Sequence, residues 1–327
     1  NVPFRARPNF GLKCTSVKVS PGIYADGANV NGFMVYASRS RASVQVCTKR
    51  RTPRMLRLSA VLLAATCLWY PAPAHAQNAP MVSQCMAVAN AMPKDFRAVV
   101  IKAAFAVPAQ APAPEVKITY AGHSTFVIET PGGVRIATDY SGAHGYDPLP
   151  RVVTMNKAHS THYTFNPDPG IEHVLTGWNP DGGAIEHKMV VGDTFIRNVP
   201  SDMRSGGEME AGANSIFIFE VAGLCIGHLG HLHHHLEDAH YAAIGRLDVV
   251  MVPVDGGLTL SHEAMSEIVK RLQSSLVLPM HRRFTTIEAF LDRFQAGFEI
   301  IRSDEDSVTV SMTNLPKVAT ILVLRGV

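Results

Sequence analysis

The chain has 327 residues, 46% of them hydrophobic and 17% charged, a globular composition with ample material for a core in one or two domains. Its 30 Lys and Arg outnumber 27 acids, but residues 1–76 hold eleven of the basic residues and one acid, Asp26, so the remainder is net −7. That remainder gives no electrostatic case for nucleic-acid binding. The absence of any CxxC pair excludes a thiolate zinc knuckle.

In chain order, the first informative unit is a leader. Arg50, Arg51, Arg54 and Arg57 precede an apolar run from Leu58 to Tyr70, followed by Pro71, Pro73 and the triplet Ala74-His75-Ala76. A basic stretch, a short apolar stretch and a small-x-small site describe a secretory signal peptide over residues 55–76. The run is shorter than the roughly 20 residues of a membrane span, and a buried core helix is the alternative. Met55 begins this unit and is the expected initiator, so residues 1–54 are expected to be a non-native or disordered upstream extension. The protein is then expected to be periplasmic or secreted, with no membrane attachment after cleavage. Of five cysteines, Cys85 and Cys225 lie beyond the leader. They can pair in an oxidising compartment, or Cys225 can remain a buried thiol in its apolar run.

Residues 77–115 read as a helical segment, Val82 to Ala106 broken at Pro93, and a Pro/Ala linker, Val107 to Pro114. Residues 116–327 read as the main domain. Val116–Tyr120, Ser124–Glu129 and Val134–Thr138 are β-rich, with a turn at Pro131-Gly132-Gly133. Val152–Met155 is a short strand entering a polar loop. Gly192-Asp193 marks a hairpin within Lys188–Val199, and Ala222-Gly223 marks another between Ser215–Val221 and Leu224–Gly227. Glu237–Ile244 is a short helix and Val249–Val254 a buried strand. Ser261 caps a helix to Gln273, with Glu263 in its first turn. Leu276–Pro279 is a strand, Thr286–Phe294 a helix, and Val308–Met312 and Thr320–Leu324 closing strands. Strands in early hairpins that later alternate with helices predict an α/β domain of sheets covered by helices.

Fourteen of the fifteen histidines follow residue 76, and neutral imidazole is the commonest metal ligand. Three groups sit just after apolar strands, where separate strands gather ligands at one rim. The first is His159 and His162, three apart in Lys157-Ala158-His159-Ser160-Thr161-His162. The second is His228-Leu229-Gly230-His231, continuing into His233, His234 and His235, a tract that equally reads as a solvated metal-binding surface. The third is His281, ending Pro279-Met280-His281.

The stretch Ile118-Thr119-Tyr120-Ala121-Gly122-His123-Ser124-Thr125-Phe126, with Ile136-Ala137-Thr138-Asp139 after it, is similar to the opening of metallo-β-lactamase-fold hydrolases. It looks closest to their lactonase-like branch, to which ascorbate-phosphate lactonases belong. The loop Lys157–His162 resembles the family's H-x-H-x-D-H loop, His228–His231 its H-L-G-D-like turn, and Pro279-Met280-His281 its last ligand strand. The resemblance covers roughly Val116 to Phe290 and implies the four-layer αβ/βα sandwich, with the site between the rims of two sheets. The departures matter as much. Lys157 stands for a loop histidine, Thr161 for the loop aspartate and His231 for the metal-bridging carboxylate, which a neutral imidazole cannot replace as a bridge. Asn198–Met203 lacks the further histidine the family places there. Asp202 lies nearby, and His173 and His187 are weak substitutes.

These losses lead to an expected single cation held by His159, His162, His231 and His281. Zn²⁺ is the expected metal, with Mn²⁺ or Fe²⁺ as alternatives, and acts by supplying metal-bound hydroxide. Lys157 is expected to stabilise a developing oxyanion, and Asp139 and His123 to orient ligands. The expected function is an exported metal-dependent hydrolase of a small-molecule ester, lactone, amide or phosphodiester. The alternative is a catalytically degenerate periplasmic protein that binds a metal or small molecule.

Overall fold

The computed structural model describes the strands within residues 12–49, residues 82–86, and residues 112–327 except 206, 284 and 295. The chain divides into two compact units, Asn1–His75 and Ala76–Val327. The first holds β1 (Leu12–Lys18), β2 (Asn29–Val30), β3 (Phe33–Ala37) and β4 (Ser43–Lys49). These pair antiparallel in the order β1-β4-β3-β2. The sequence reading assigned no strand there, although runs such as Ser43-Val44-Gln45-Val46-Cys47-Thr48 suit extended chain. The expected leader, residues 55–76, lies outside the described residues. Of the expected helix over Val82–Ala106, Gln84–Met86 are helical and the rest lies outside the described residues.

The second unit carries two sheets. The smaller has the order β17-β5-β6-β7-β8-β9. It is built from β5 (Val116–Gly122), β6 (Thr125–Glu129), β7 (Arg135–Ala137), β8 (Val152–Met155), β9 (His173–Thr176) and β17 (Ser307–Val310). The larger has the order β10-β11-β12-β13-β14-β15-β18-β16. Its strands are β10 (Lys188–Val191), β11 (Thr194–Ser205), β12 (Glu208–Val221), β13 (Leu224–His228), β14 (Val249–Pro253), β15 (Leu276–Met280), β16 (Phe298–Arg302) and β18 (Ala319–Val323). Strands β10 to β13 are successive antiparallel hairpins, whereas β13, β14 and β15 run parallel. The early hairpins and later alternation therefore fall where the turn signals put them.

Side-chain alternation explains the layers. Phe217, Phe219, Ile226, Val249, Met251, Leu276 and Leu278 point inward, against Ile118, Phe126, Ile128, Ile136 and Val152 of the smaller sheet. Their neighbours Ile216, Ile218, Cys225, Val250, Val252 and Val277 point outward, against the helical layer. That layer comprises α1 (Asp238–Ile244), α2 (His262–Leu272) and α3 (Ile287–Leu291). Each fully buried Phe, Leu or Ile contributes about 1.5–3 kcal/mol, so the two layers fix the sheets against each other firmly. Helix α2 begins as its sequence requires, with the Ser261 hydroxyl accepting from the Ala264 N–H. The outer face of the smaller sheet packs Val127, Ala137, Val153 and Met155 against Tyr140, Ile171, Tyr163 and Trp178. Among the described residues that covering is loop, not helix.

Residues 82–86 are fastened to the larger sheet. Cys85 and Cys225 form a disulfide with Cα atoms 5.9 Å apart, which settles the two sequence alternatives for that pair. Beside it, the buried Glu220 carboxylate accepts from Ser83 Oγ (2.5 Å), the Gln84 N–H (2.8 Å) and Arg197 Nε (2.7 Å). The Arg197 terminal nitrogens donate to the carbonyls of Ala243 and Ile244, both at 2.7 Å.

Candidate metal centre

The histidine-bearing loops leave the C-terminal ends of β8, β13 and β15, and the turn between β5 and β6 brings a further histidine to them. Parallel strands end at a common rim, so residues far apart in sequence meet there. The two rims are joined directly: the His281 N–H donates to the His123 carbonyl at 2.7 Å. The Tyr120 hydroxyl donates to the same carbonyl at 3.0 Å, and burial, the largest influence, pushes that hydroxyl up to about 12. Five non-glycine residues among those described have left-handed φ, and three of them are His123, Asp139 and His281. Such conformations cost of order 1–3 kcal/mol each, and the surrounding bonds impose them where the side chains must turn inward.

One ring nitrogen from each of His123, His159, His162 and His281 lies within 4.8 Å of the others. A single cation about 2.1 Å from each nitrogen covers that span with small ring rotations. The His231 ring adjoins them, its centroid 4.7 Å from both His162 and His281 and 5.0 Å from His159. In all five residues Nε2 is buried and has no hydrogen-bond partner among the described residues. An unsatisfied buried polar atom costs about 1–3 kcal/mol, so five around one point fit a bound ligand far better than a structural network, and the four within 4.8 Å of one another fit a cation.

The other ring nitrogens are held from behind. His162 Nδ1 lies 2.6 Å from Asp139 Oδ2, and His281 Nδ1 lies 2.9 Å from Asp255 Oδ2. Ionised carboxylates only accept, so both imidazoles carry their proton on Nδ1 and present a lone pair at Nε2. His159 Nδ1 meets Thr161 Oγ1 at 2.8 Å. Asp139 is placed in turn by Asn156, whose Nδ2 donates to Asp139 Oδ1 at 2.8 Å. The Oδ1 of that asparagine accepts the Ser215 N–H at 2.7 Å, which ties the smaller sheet to the larger. Gly177 and Gly230 make room for it: a Cβ at either would sit 2.2 Å and 2.4 Å from its amide.

Electrostatics keeps the centre in its ligating form. Burial, then neighbouring imidazoles, pushes His123 down to about 3 and His159 down to about 4. The same causes hold His231 far below the ordinary histidine range. For Asp139 burial is the largest influence and would raise its pKa, but His228, His162 and Asn156 together hold it below the usual carboxylate value. Asp255 follows the same pattern: bonds from His281, Thr259 and Gly257 overcome its burial and lower it. His123, His159 and His231 are thus held in the neutral form beside two anionic carboxylates, a setting suited to a divalent cation.

The structure thus brings together His159, His162, His231 and His281, the residues the sequence singles out as ligands. Asp139 stands behind His162. His123, expected behind a ligand, instead faces the common point with its own Nε2. Lys157, expected to face the chemistry, forms an exposed ion pair with Glu210. Asp202 ties its own hairpin, accepting the Gly212 N–H at 2.9 Å. His228 is not a donor to the centre: its Nε2 donates to the Ser124 carbonyl at 2.8 Å, and its Nδ1 accepts the Gly230 N–H at 3.1 Å. Sequence reasoning missed Asp255, Asn156 and Asn214. The place of Asp255 just beyond a buried strand, as with Asp139, was the available signal. A cleft of about 430 Å³ opens at His159 and His231 and is bordered by Met203, Arg204, His233 and Leu258.

The sequence pattern of the beta-lactamase superfamily domain matches residues 117–281, just over half of the chain. No curated protein matches it. Among solved structures, the chain is similar to a candidate Zn-dependent hydrolase of the metallo-beta-lactamase superfamily from Thermotoga maritima. That match has 25% identity and a TM-score of 0.46, and covers 64% of this chain and 98% of that one. It is also similar to a metallo hydrolase from Ignicoccus hospitalis, with 21% identity, a TM-score of 0.45 and coverage of 60% and 99%. A third is the metallo-beta-lactamase fold protein YhfI from Bacillus subtilis, with 9% identity, a TM-score of 0.44 and coverage of 64% and 97%. No described helix is long and apolar enough to cross a membrane.

Proposed function

This chain belongs to the metallo-β-lactamase superfamily, and from that premise we propose that it is an exported hydrolase dependent on one divalent cation. The observation that carries the reading is the convergence of buried, unpartnered Nε2 atoms from separate strand ends. His123, His159, His162 and His281 are the donor set, and zinc suits four neutral imidazoles best, with Mn²⁺ or Fe²⁺ as alternatives. When bound, such a cation supplies Lewis acidity and lowers the pKa of a coordinated water towards 7. Asp139 and Asp255 keep the Nδ1 protons in place, so the lone pairs of His162 and His281 stay aimed at the centre. The substrate class is a small-molecule ester, lactone, amide or phosphodiester, and the lactonase-like resemblance of the Ile118–Phe126 opening favours a lactone. Export to the periplasm or beyond is supported by the leader over residues 55–76 and by the Cys85–Cys225 disulfide.

A second reading, a metal binder without turnover, is favoured by one observation: Lys157, the expected oxyanion partner, is engaged by Glu210. Elemental analysis of the dialysed full chain, followed by assays on chromogenic esters, lactones, phosphodiesters and β-lactams, separates the two. The expected result is one zinc per chain and hydrolysis of one class, both lost in His162→Ala. A wild-type protein without stoichiometric metal overturns both readings. Stoichiometric metal with no hydrolysis across the panel selects the binder.

A further inference from the structure

The five imidazoles share an inward Nε2 but differ in what their outer nitrogen meets. His231 Nδ1 contacts no carboxylate; it meets Nε2 of His233. The remaining nitrogen of His233, Nδ1, accepts the backbone N–H of Arg204 at 3.1 Å and so carries no proton. The single ring proton of His233 is then on Nε2, pointing at His231. His231 Nδ1 must accept it, and the proton of His231 therefore sits on Nε2. That N–H belongs to a residue only 3% exposed, has no partner, and faces the cluster from 4.7 Å ring separations to His162 and His281.

We propose that His231 is a hydrogen-bond donor to an anionic oxygen lying in the cluster, and not one of the metal ligands. The proposal rests on the reading of the cluster as a metal site. A lone pair at Nε2 would add a ligand; an N–H there repels a cation and attracts an anion. The surroundings agree. The cleft that opens at His231 is bordered by Arg204 and His233 and by no carboxylate. The acids of the centre, Asp139 and Asp255, lie behind His162 and His281, on the far side of those rings. The His231 backbone is fixed independently, its N–H donating to Asn214 Oδ1 at 2.8 Å, so the ring is aimed without help from a metal. His231 is thus suited to the oxygen on which charge develops during hydrolysis.

The test reads the ring protons first. Long-range ¹H–¹⁵N spectra of the metal-free full chain are expected to show His231 protonated on Nε2 and His162 protonated on Nδ1. A His231 protonated on Nδ1 overturns the proposal. Zinc affinity then separates donor from ligand: His231→Gln is expected to stay within about tenfold of wild type, whereas His162→Gln loses more than about a hundredfold. Equal losses in the two variants overturn the assignment. Finally, the zinc-loaded wild type is expected to bind inorganic phosphate about tenfold or more tightly than His231→Leu, which carries no donor, the scale of a hydrogen bond to a charged group. Unchanged phosphate affinity overturns the anion role. If the wild type holds no zinc, the hydrolase reading fails, while the proton positions of the metal-free protein still judge His231.

Discussion

Around Glu220 the buried polar groups close on one another. The carboxylate accepts from Ser83, Gln84 and Arg197, and each terminal nitrogen of Arg197 donates to a carbonyl at the end of α1. Around Asp139 they do not close. There the carboxylates of Asp139 and Asp255 fix the backs of His162 and His281, and the front nitrogens are left facing one point. Both regions are buried and rich in charge, yet one directs its hydrogen bonds into the fold and the other leaves a set of ring nitrogens facing inward. The difference identifies the functional centre without reference to any ligand: a network that holds structure is satisfied, and one that holds chemistry is satisfied on one side only.

The comparison can be broken from either side. The largest expected effect is on the closed network. Arg197→Met leaves the Glu220 charge buried and unpaired, and is expected to cost about 3–5 kcal/mol in chemical denaturation. Zinc stoichiometry should be unchanged; a loss below about 1 kcal/mol would mean that the network is not structural. The next effect is on the open one. Asp139→Asn removes the carboxylate charge and leaves one acceptor oxygen for two donors, Asn156 and His162, and zinc affinity measured by competition is expected to fall about 10–100-fold. An unchanged affinity would show that His162 is not oriented from behind.

A third effect sharpens the contrast through pH. The folded His159 and His123 sit near 4 and 3, below the ordinary 6.5. Between those values the unfolded chain binds protons that the folded chain does not. The stability of the metal-free protein should therefore be greatest above pH 6.5 and decline as pH falls towards 4. A denaturation midpoint flat across that window would count against buried neutral imidazoles.

Much of this was legible in the sequence because it depends on local periodicity. Alternation along Ser215–Val221, the Gly192-Asp193 turn and the Ser261 cap each specify an element whose partners are close in the chain. Within the second unit two strands escaped notice, beside the four of the first. His173–Thr176 is four residues long and Phe298–Arg302 is largely exposed, so neither carries a clear apolar pattern. The clustered histidines were visible as strand-end residues, but their directions were not. His123 faces inward because of a left-handed backbone, and Lys157 faces Glu210, 53 positions away, because of the fold around them. Asp255, followed by two glycines, reads as a turn former, and only its contact with His281 gives it a second role.

The bond between Cys85 and Cys225 spans 140 positions, and Cys225 lies on the strand that runs into His228. It makes the connection between residue 86 and the main domain redundant. A protease that nicks the chain between Met86 and Glu115 leaves two polypeptides that still migrate as one molecule until a reductant parts them. The segment carrying Ser83 would stay seated on Glu220 throughout, so the domain keeps its docked N-terminal piece even after the linker is gone.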